Sequence, residues 1–375
     1  MDAQVAVIGT GSVGSMALWQ LARAGVDAIG FEQYAPGHDQ AAAGGESRIF
    51  RTAYLEGPQY VPLLQRSLEL WRELEAESGQ HLLTLNGGLM IGAAESPAMR
   101  NVLASARDYE LAHTVLEPAD MATHYPQHRL QPHEVAVLDH AAGVLRPEFA
   151  VLAAARCAEA NGAQVVTGGR VEDVQPVDGG VRVTAAGRDY LAKQAIITAG
   201  PWVARFAPML AGDVSARRLV MTWYPALDVA AYQPDRFPIF IRESGDSEVF
   251  GIPTLDGGSV KVAPHSSYGG VADPDHLART VDPAELEPIN RAVAELLPGL
   301  IPTPVRVSAY MDGYTSDGHG LVGRMPGIDN VWLLGAFSGH GFKMAPSFGQ
   351  IAMELATQGK TSLPIEHLDP KRFLP

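Results

Sequence analysis

The first residues whose spacing could do chemistry are three glycines close to the N-terminus. They stand in Gly9-Thr10-Gly11-Ser12-Val13-Gly14, which has the spacing G-x-G-x-x-G. In such a motif the first glycine permits a tight turn, the second lets the backbone approach a pyrophosphate, and the third lets a helix pack closely on its strand. The N-terminus of that helix offers unpaired N–H groups to phosphates. The motif predicts a dinucleotide site, although alone it is weak evidence.

The surrounding residues strengthen this prediction because they supply the strands and the helix that the motif requires. Residues 5–8 are a short apolar run, residues 15–24 have a helical pattern, and Ala28–Phe31 is a second apolar run. Glu32 follows directly, 21 residues after Gly11. A carboxylate there can accept hydrogen bonds from ribose hydroxyls and would repel a 2′-phosphate, which disfavours NADP and leaves NAD and FAD.

Two later turns favour FAD over NAD. Thr198-Ala199-Gly200 follows the apolar run at residues 195–197, and Gly339-His340-Gly341-Phe342-Lys343 follows the apolar run at residues 331–334. A flavin dinucleotide is larger than NAD and is usually held by several segments. Three turns rich in small residues, all at predicted strand ends, therefore indicate a flavin site.

The elements that must position these turns are spread over the whole chain. Further helices are predicted at residues 60–78, 146–161, 283–297 and 347–357. Strands are predicted at residues 82–91, 165–166, 171–174, 181–184, 195–198, 218–228, 237–242, 259–263 and 331–334. Proline and histidine are frequent between residues 118 and 147, which predicts irregular structure there.

This distribution predicts an α/β (α+β) protein with two domains interleaved in sequence. A Rossmann-like FAD-binding domain is expected at residues 1–85, 146–215 and 306–375. A substrate-binding domain built on a mainly antiparallel sheet is expected at residues 86–145 and 216–305. The length of 375 residues agrees with about two domains.

Composition and charge argue against several classes of function. With 28 basic and 42 acidic residues, the chain has a net charge of −14, so it would repel nucleic acid and anionic lipid. No stretch approaches the roughly 20 apolar residues of a transmembrane helix. Cys157 is the only cysteine, which excludes an intrachain disulfide and argues against a cysteine-based zinc site. We expect a cytoplasmic protein with no metal site, in which Cys157 packs inside a helix.

Further short motifs are spread over nearly the whole chain. They are Glu46-Ser47-Arg48-Ile49-Phe50-Arg51, Tyr60-Val61-Pro62, Gly169-Arg170-Val171-Glu172-Asp173, Lys261 with His265, Tyr314-Thr315, and Phe337-Ser338-Gly339-His340-Gly341-Phe342-Lys343. With the N-terminal glycines and Glu32, they make the chain resemble the family of monomeric sarcosine oxidase and N-methyltryptophan oxidase. The resemblance implies an FAD-dependent oxidase of a small secondary amino acid, N-methyl or cyclic, that yields an imine and hydrogen peroxide.

The resemblance also implies roles for five charged or polar residues. Arg51 and Lys343 match the two cations that bind the substrate carboxylate, as suits a guanidinium fork and a nearby ammonium. Ser47 and Arg48 match residues that lie against the flavin. Lys261 matches the lysine that activates O₂, where a buried cation would stabilise the negative charge that forms.

The remaining implied contacts lie around the substrate and along the cofactor. His265 and Tyr314 match polar residues near the substrate and are expected to act in catalysis with Lys261 and Arg48. The expected pocket also includes Phe250 and Ile241, with Trp223 and Arg242 as further candidates for shaping it. The expected cofactor contacts are Gly9, Gly11, Ser12, Val13, Gly14, Glu32, Gln33, Ser47, Arg48, Val171, Ala199, Gly200, Trp202, Ser338, Gly339, His340, Gly341, Phe342 and Lys343.

Two positions depart from the pattern of the family. The family commonly carries a cysteine two residues before the Tyr-Thr pair, and that thiol binds the flavin covalently, but here the position is Asp312. Gly44 stands where sarcosine oxidases have a histidine near the flavin. We therefore expect FAD to be bound noncovalently, and these departures leave the identity of the amine open.

Several alternatives stay open at this point. They are a flavin-dependent amino-acid dehydrogenase that uses an acceptor other than O₂, an oxidase of a primary amino acid, an NAD-dependent dehydrogenase, and a binding protein without turnover. In the favoured interpretation the partners are a small amino acid and O₂, and the chain acts as a monomer.

Overall fold

The chain folds into two large sheets with helices on both. A computed structural model describes residues 1–244 and 247–374. The helices are α1 (Ser12–Arg23), α2 (Val61–Ser78), α3 (Pro97–Asp108), α4 (Pro118–His124), α5 (Pro147–Ala160), α6 (Val203–Phe206), α7 (Glu287–Leu296) and α8 (Ala345–Gln358). The strands are β1 (Ala3–Ile8), β2 (Ala28–Phe31), β3 (Arg48–Phe50), β4 (Leu83–Leu85), β5 (Gly88–Ala93), β6 (His113–Leu116), β7 (Glu134–Asp139), β8 (Gly143–Leu145), β9 (Gln164–Val166), β10 (Val171–Val177), β11 (Gly180–Ala185), β12 (Arg188–Ile197), β13 (Val214–Pro225), β14 (Ile239–Ser244), β15 (Ser247–Ile252), β16 (Ser259–Pro264), β17 (Gly270–Val271), β18 (Arg306–Thr315), β19 (Leu321–Arg324) and β20 (Val331–Gly335). Within the described residues, no helix combines the length and the apolar character that crossing a bilayer requires.

The eight-stranded sheet has a parallel centre in which β9, β2, β1, β12 and β20 are neighbours. Successive side chains of β1 enter different cores, because strand residues alternate between the two faces. Val5 and Val7 pack with α1, α5 and α8, whereas Ala6 and Ile8 pack on the opposite face. Burial on both faces explains the uninterrupted apolar run in the sequence. Cys157 is buried on α5, as expected.

The nine-stranded sheet is antiparallel except where β14 lies parallel to β5. Its strand order is β17-β13-β16-β15-β14-β5-β7-β6, and β18 pairs with β13. Helix α7 covers one face, where Ile289 and Val293 join a core with Tyr224, Val260 and Val262. The predicted α/β (α+β) class, with a Rossmann-like unit and a mainly antiparallel sheet, is confirmed.

The chain moves between the two sheets several times, and the domain boundaries given above stay a prediction. One strand shows how closely the two units are joined. Strand β18 lies within the range 306–375 assigned to the FAD-binding domain, yet all of it pairs with β13 of the nine-stranded sheet. The strand therefore extends from the substrate side to the third glycine turn.

The prediction of irregular structure between residues 118 and 147 is wrong. This range contains α4, β7 and β8. Strand β7 was not predicted from the sequence because its first and last residues, Glu134 and Asp139, are acidic. Both side chains are nevertheless buried. Asp139 accepts hydrogen bonds from the backbone N–H groups of Thr52 (2.6 Å) and Ala53 (2.9 Å), so its burial is compensated.

Arg242 does not shape a substrate pocket, contrary to expectation. Its side chain is fully buried and pairs with Glu134, to which Nε donates over 3.0 Å. Its Nη2 also donates to the carbonyl of Arg129 over 2.6 Å. Alternation along β14 places Arg242 and Ile241 on opposite faces of the sheet.

Candidate active site

The glycine turn between β1 and α1 has the geometry that a dinucleotide requires. Gly9 has a φ of +90°, and a Cβ on Gly14 would lie 1.8 Å from the carbonyl oxygen of Gly9. A Cβ on Gly11 would meet nothing within 4 Å, because this position faces the open space of a cleft. The motif therefore combines close packing at Gly14 with free approach at Gly11. Val13, an expected cofactor contact, instead has its side chain in the core.

A cleft of about 740 Å³, open mouth included, extends from this turn along the carboxyl ends of the parallel strands. Ligands of open α/β sheets bind at this edge. Nine of the expected cofactor contacts line the cleft: Gly9, Gly11, Ser12, Glu32, Gln33, Val171, Ala199, Gly200 and Trp202. His38, Ala41, Ala42, Arg170 and Arg205 also line it, and sequence reasoning missed them.

Glu32 is fixed at the end of β2 where it can reach a ribose. Its carboxylate accepts a hydrogen bond from the N–H of Tyr34 over 3.1 Å and lies 3.2 Å from Nε2 of His38. The side chain is buried yet lines the cleft. A bare backbone at one end of the cleft and an oriented carboxylate on its wall fit the adenosine diphosphate part of FAD.

Arg48 and Lys261 lie beyond the cleft, and backbone carbonyls hold both. Arg48 donates to the carbonyls of Ala42 (2.5 Å) and Ser47 (2.8 Å). Lys261 Nζ donates to the carbonyls of Gly45 (2.9 Å) and Ser47 (3.1 Å). Because Ala42 lines the cleft, Arg48 stands next to it, and Lys261 shares the carbonyl of Ser47 with Arg48. The flavin ring is expected on this side of the cleft.

Lys261 is a buried cation rather than a surface lysine of its strand. Its Nζ lies 5.3 Å from the ring centre of Trp223, the opposite residue on β13. Burial lowers the pKa of Lys261 well below its ordinary value, and the charge of Arg48 lowers it further. The carboxylate of Asp256 lines the same small cavity as Lys261, but it accepts hydrogen bonds from the N–H and the hydroxyl of Ser259.

Arg51 and Lys343 form a second pair of buried cations over the ring of Tyr54. The Arg51 guanidinium lies 4.3 Å and Lys343 Nζ lies 5.4 Å from the ring centre. Arg51 Nη2 donates to both oxygens of Glu56 over 2.8 Å. Lys343 Nζ donates to the carbonyl of His340 over 3.0 Å. Nε and Nη1 of Arg51 are buried and have no hydrogen-bond partner among the described residues.

The charges of this cluster shift the pKa values of its members strongly. Burial lowers the pKa of Lys343 to about 7, and Arg51 contributes to the shift. Burial alone would raise the pKa of Glu56, but Arg51, His340 and Lys343 hold it well below the ordinary value. Burial lowers the pKa of His340 to about 4. The site therefore favours an anionic ligand.

Asp312 ties β18 to the third glycine turn, between the two pairs of cations. Its carboxylate accepts hydrogen bonds from the N–H groups of Gly313 (2.7 Å) and Gly339 (3.1 Å). Burial raises the pKa of Asp312 to about 6. Within the turn, Ala336, Ser338 and Gly339 all have positive φ, so the loop is held in a conformation that most residues avoid.

Two of the expected catalytic residues stand farther out. His265 is 38% exposed, and its Nδ1 lies 3.9 Å from the carboxylate of Glu248. The ring of Tyr314 stacks on Arg217 at 4.8 Å, and its hydroxyl lies next to Gly339. Tyr314 thus borders the third glycine turn, whereas His265 lies at the solvent-exposed border of the site.

Three other expected contacts, Ile241, Phe250 and Phe342, do not line the cleft. Ile241 and Phe250 are opposite each other on β14 and β15, in the core beneath the second sheet. Phe342 stacks on Trp71 at 5.7 Å, away from the cleft. At the position of the family's histidine, a Cβ on Gly44 would lie 2.7 Å from the ring of Tyr310, so tyrosine occupies that space.

Sequence reasoning also missed Tyr54 and Glu56. Both follow Arg51 within five residues, in a segment outside any helix or strand. An acid close to a predicted buried arginine was the one available signal for Glu56. Nothing in the sequence pointed to Tyr54, because an aromatic residue in a loop is most often a packing residue.

Comparison with known proteins agrees with this geometry. A family model described as DAO, FAD dependent oxidoreductase, matches residues 4–355. The chain belongs to the DAO family of FAD-dependent oxidoreductases. Monomeric sarcosine oxidase of Streptomyces avermitilis is 35% identical over 98% of this chain and 97% of that protein. N-methyl-L-tryptophan oxidase of Salmonella dublin is 31% identical over 96% of each chain.

A solved structure shows the same fold at lower identity. The L-proline dehydrogenase from P. horikoshii superposes with a TM-score of 0.86 at 21% identity, over 99% of this chain and 98% of that one. The predicted family resemblance is confirmed. The predicted FAD cofactor and the predicted oxidoreductase class are confirmed as well. An NAD-dependent dehydrogenase and a binding protein without turnover are not favoured.

Substitutions of Gly11 and Gly14 should have different effects, one on cofactor binding and the other on stability. We expect Gly11→Ala to fold normally and to weaken FAD binding roughly tenfold or more, because its methyl group enters the cleft. Gly14→Ala should lower the free energy of unfolding by roughly 1–3 kcal/mol, because its methyl group meets the Gly9 carbonyl. FAD titration of the apoprotein and denaturant unfolding measure the two effects. The assignment is wrong if Gly11→Ala binds FAD as the wild type does.

Proposed function

We propose that this chain is an FAD-dependent oxidase of a small secondary amino acid, N-methyl or cyclic, that produces an imine and hydrogen peroxide. The observation that carries the proposal is the buried guanidinium of Arg51 beside Lys343, two of whose nitrogens have no hydrogen-bond partner in the part of the chain that the structure describes. A buried arginine with free donors is costly unless a ligand completes its hydrogen bonds. A substrate carboxylate supplies the planar acceptor that a guanidinium binds best.

The same cations act on the amine of the substrate. An ammonium group near Arg51, Lys343 and Arg48 would meet like charges in a site with little water, so its pKa falls. The site thus favours the neutral amine, the form that can be oxidised. Bound FAD supplies the electron acceptor for the carbon–nitrogen bond, and the chain contributes orientation and charge.

The relatives support the choice of a secondary amine. One is named for sarcosine and the other for N-methyl-L-tryptophan, and both compounds are N-methyl amino acids. With 35% and 31% identity over nearly the full length, the similarity includes the segments that carry Arg51 and Lys343. The exact amine, the cytoplasmic location and the monomeric state stay predictions.

Lys261 is proposed to promote the reaction with O₂. The first electron transfer to O₂ creates an anion, and a fixed positive charge nearby stabilises it. The Nζ of Lys261 is held by the carbonyls of Gly45 and Ser47, an arrangement that favours the protonated amine against the effect of burial. This residue is the reason for preferring an oxidase to a dehydrogenase.

FAD is proposed to be held noncovalently. Asp312 stands where the resemblance places the flavin-linking thiol, and its carboxylate is engaged with Gly313 and Gly339. Cys157, the only thiol, is buried on α5. Acid precipitation of the holoenzyme should therefore leave the yellow colour in the supernatant.

The substrate class is tested by anaerobic addition of N-methyl, cyclic and primary amino acids to the holoenzyme. We expect N-methyl or cyclic amino acids to bleach the flavin, because the two relatives are named for N-methyl amino acids. Under air the same compounds should produce hydrogen peroxide. Bleaching by primary amino acids alone would contradict the proposed substrate class.

Removing either cation of the carboxylate site should weaken substrate use while FAD stays bound. Arg51→Ala or Lys343→Met should raise KM and lower kcat/KM by roughly 30- to 1000-fold, equivalent to ~2–4 kcal/mol for a lost charge-assisted contact. Arg66→Ala is the matched control, because Arg66 pairs with Glu69 on the outer surface of α2. Steady-state kinetics at fixed pH measure the effect.

The pH dependence of anion binding provides a second measurement of Lys343. Its pKa of about 7 means that the free enzyme loses this charge as the pH rises through neutrality. The affinity for a small carboxylate without an amine should fall as the pH rises through neutrality. Lys343→Met should remove the change. A pH-independent affinity in the wild type would show that Lys343 does not bind the carboxylate.

Lys261→Met should spare flavin reduction by the substrate and slow reoxidation by O₂. We expect reoxidation to be ~10²–10³-fold slower, since one fixed charge in such a site is worth ~3–4 kcal/mol. Wild-type reoxidation should also slow as the pH rises through the pKa of Lys261. Stopped-flow kinetics measure both half-reactions, and Lys193→Met, at an exposed position of β12, is the control. Equal reoxidation rates would favour a dehydrogenase.

A further inference from the structure

A segment of the substrate side reaches across to the walls of the nucleotide cleft. We call residues 269–285 the strap. It begins where β17 pairs with Ala216 and Arg217 of β13, and it ends close to α7. Its first end therefore belongs to the nine-stranded sheet and its second end leads to the helix that covers this sheet, whereas the cleft belongs to the eight-stranded sheet.

Asp275 of the strap binds three residues of one cleft wall. Its carboxylate lies 2.9 Å from Arg170 Nη1 and accepts hydrogen bonds from Trp202 Nε1 over 2.7 Å and from Arg205 Nη2 over 2.8 Å. All three partners line the cleft. They come from two separate segments, one just before β10 and one after β12. A single carboxylate thus holds together two parts of the wall.

Asp273 fixes the position of Asp275. Its carboxylate accepts a hydrogen bond from the N–H of Asp275 over 3.1 Å and another from Arg205 over 2.5 Å. Nδ1 of His276 lies 2.8 Å from its second oxygen. The turn at residues 273–276 therefore presents two carboxylates, Asp273 and Asp275, to the guanidinium of Arg205.

The strap also reaches the opposite side of the cleft. Arg279 Nη2 donates to Oε1 of Gln40 over 2.6 Å, and Gln40 precedes the cleft-lining residues Ala41 and Ala42. Behind this contact, Arg218 of β13 donates to the carbonyl of Ala278 over 2.8 Å and to that of Thr280 over 2.9 Å. The strap is thus anchored to its own sheet and contacts both walls of the cleft.

We propose that the strap is a latch that retains FAD, with Asp275 as the positioning residue that holds Arg170, Trp202 and Arg205 in their places on the cleft wall. The two arginines are balanced by Asp273 and Asp275, so the cluster has little net attraction for a diphosphate. Its effect is to hold the wall and the strap in place. The inference rests on the proposed noncovalent binding of FAD, because a covalent flavin would need no latch.

The test compares two substitutions that remove the same charge from the strap. Asp275→Asn removes the ion pairs to the cleft wall, while Asp282→Asn changes a helix-capping residue of the strap. Among the described residues, the Asp282 carboxylate accepts a hydrogen bond from the N–H of Ala284, and the backbone N–H of Asp282 donates to Glu285. After dilution of the holoenzyme, the rise of free FAD fluorescence gives the rate of release. We expect release from Asp275→Asn to be about 3- to 20-fold faster, as for the loss of several partly exposed ion pairs, and release from Asp282→Asn to equal that of the wild type.

The salt dependence of FAD release from the wild type provides a second test, which does not require that Asp275→Asn folds well. Release from the wild type should accelerate between low and high KCl, because partly exposed ion pairs are screened, and it should do so less in Asp275→Asn. Equal release rates in all three proteins, or a wild-type rate that does not change with salt, would overturn the latch. Flavin that stays in the acid precipitate would contradict both the latch and noncovalent binding. Failure of amino acids to bleach the flavin would contradict only the proposed substrate.

Discussion

The burial of positive charge is the constraint on which the rest of this structure depends. Arg51, Lys261 and Lys343 are buried and Arg48 is half-buried near the junction of the two sheets, where an isolated charge costs several kcal/mol. Among the described residues, Arg51 is the one of the four with a carboxylate partner, Glu56. Backbone carbonyls hold the other three, because carbonyls stabilise a cation without cancelling its charge. The site therefore keeps a surplus of positive charge that a carboxylate or a developing anion can use.

The two sheets have different roles in forming the site. The parallel sheet ends in loops of small residues, which leave backbone exposed for a dinucleotide. The antiparallel sheet supplies long strands whose side chains point predictably to one face, so Lys261 stands opposite Trp223 and reaches the carbonyls that follow Gly44. Asp312 joins the two parts, since it lies on β18 and accepts a hydrogen bond from the N–H of Gly339 in the third turn.

The proposed roles toward the substrate and toward O₂ fall on two separate pairs of cations. Arg51 and Lys343 lie over Tyr54, whereas Lys261 and Arg48 share the carbonyl of Ser47. The first pair suits a carboxylate, and the second suits charge that forms during reaction with O₂. The charges still act on one another, because Arg48 and Asp312 both affect the pKa of Lys343. Binding of an anion at one pair must therefore change the electrostatics at the other.

Local sequence patterns were enough to predict the nucleotide half of the molecule. The strand–turn–helix–strand unit at the N-terminus is contiguous, so spacing and hydrophobic periodicity describe it without reference to distant residues. The glycines and Glu32 belong to this unit, and the cleft forms where they indicated. Likewise, the buried strands at residues 195–197 and 331–334 are apolar on both faces, which a sequence shows directly.

Other features depended on contacts between residues far apart in the chain. Strand β7 carries carboxylates at both ends, and only their partners, Arg242 and the N–H groups of Thr52 and Ala53, make their burial tolerable. The pairing of Arg51 with Glu56 and the role of Asp275 in the strap likewise arise when separate segments meet. Hydrogen bonds and ion pairs act over a few ångströms of space rather than along the sequence. A pattern of residues can therefore indicate which groups are chemically suited to a site, but the folded chain decides which of them come together.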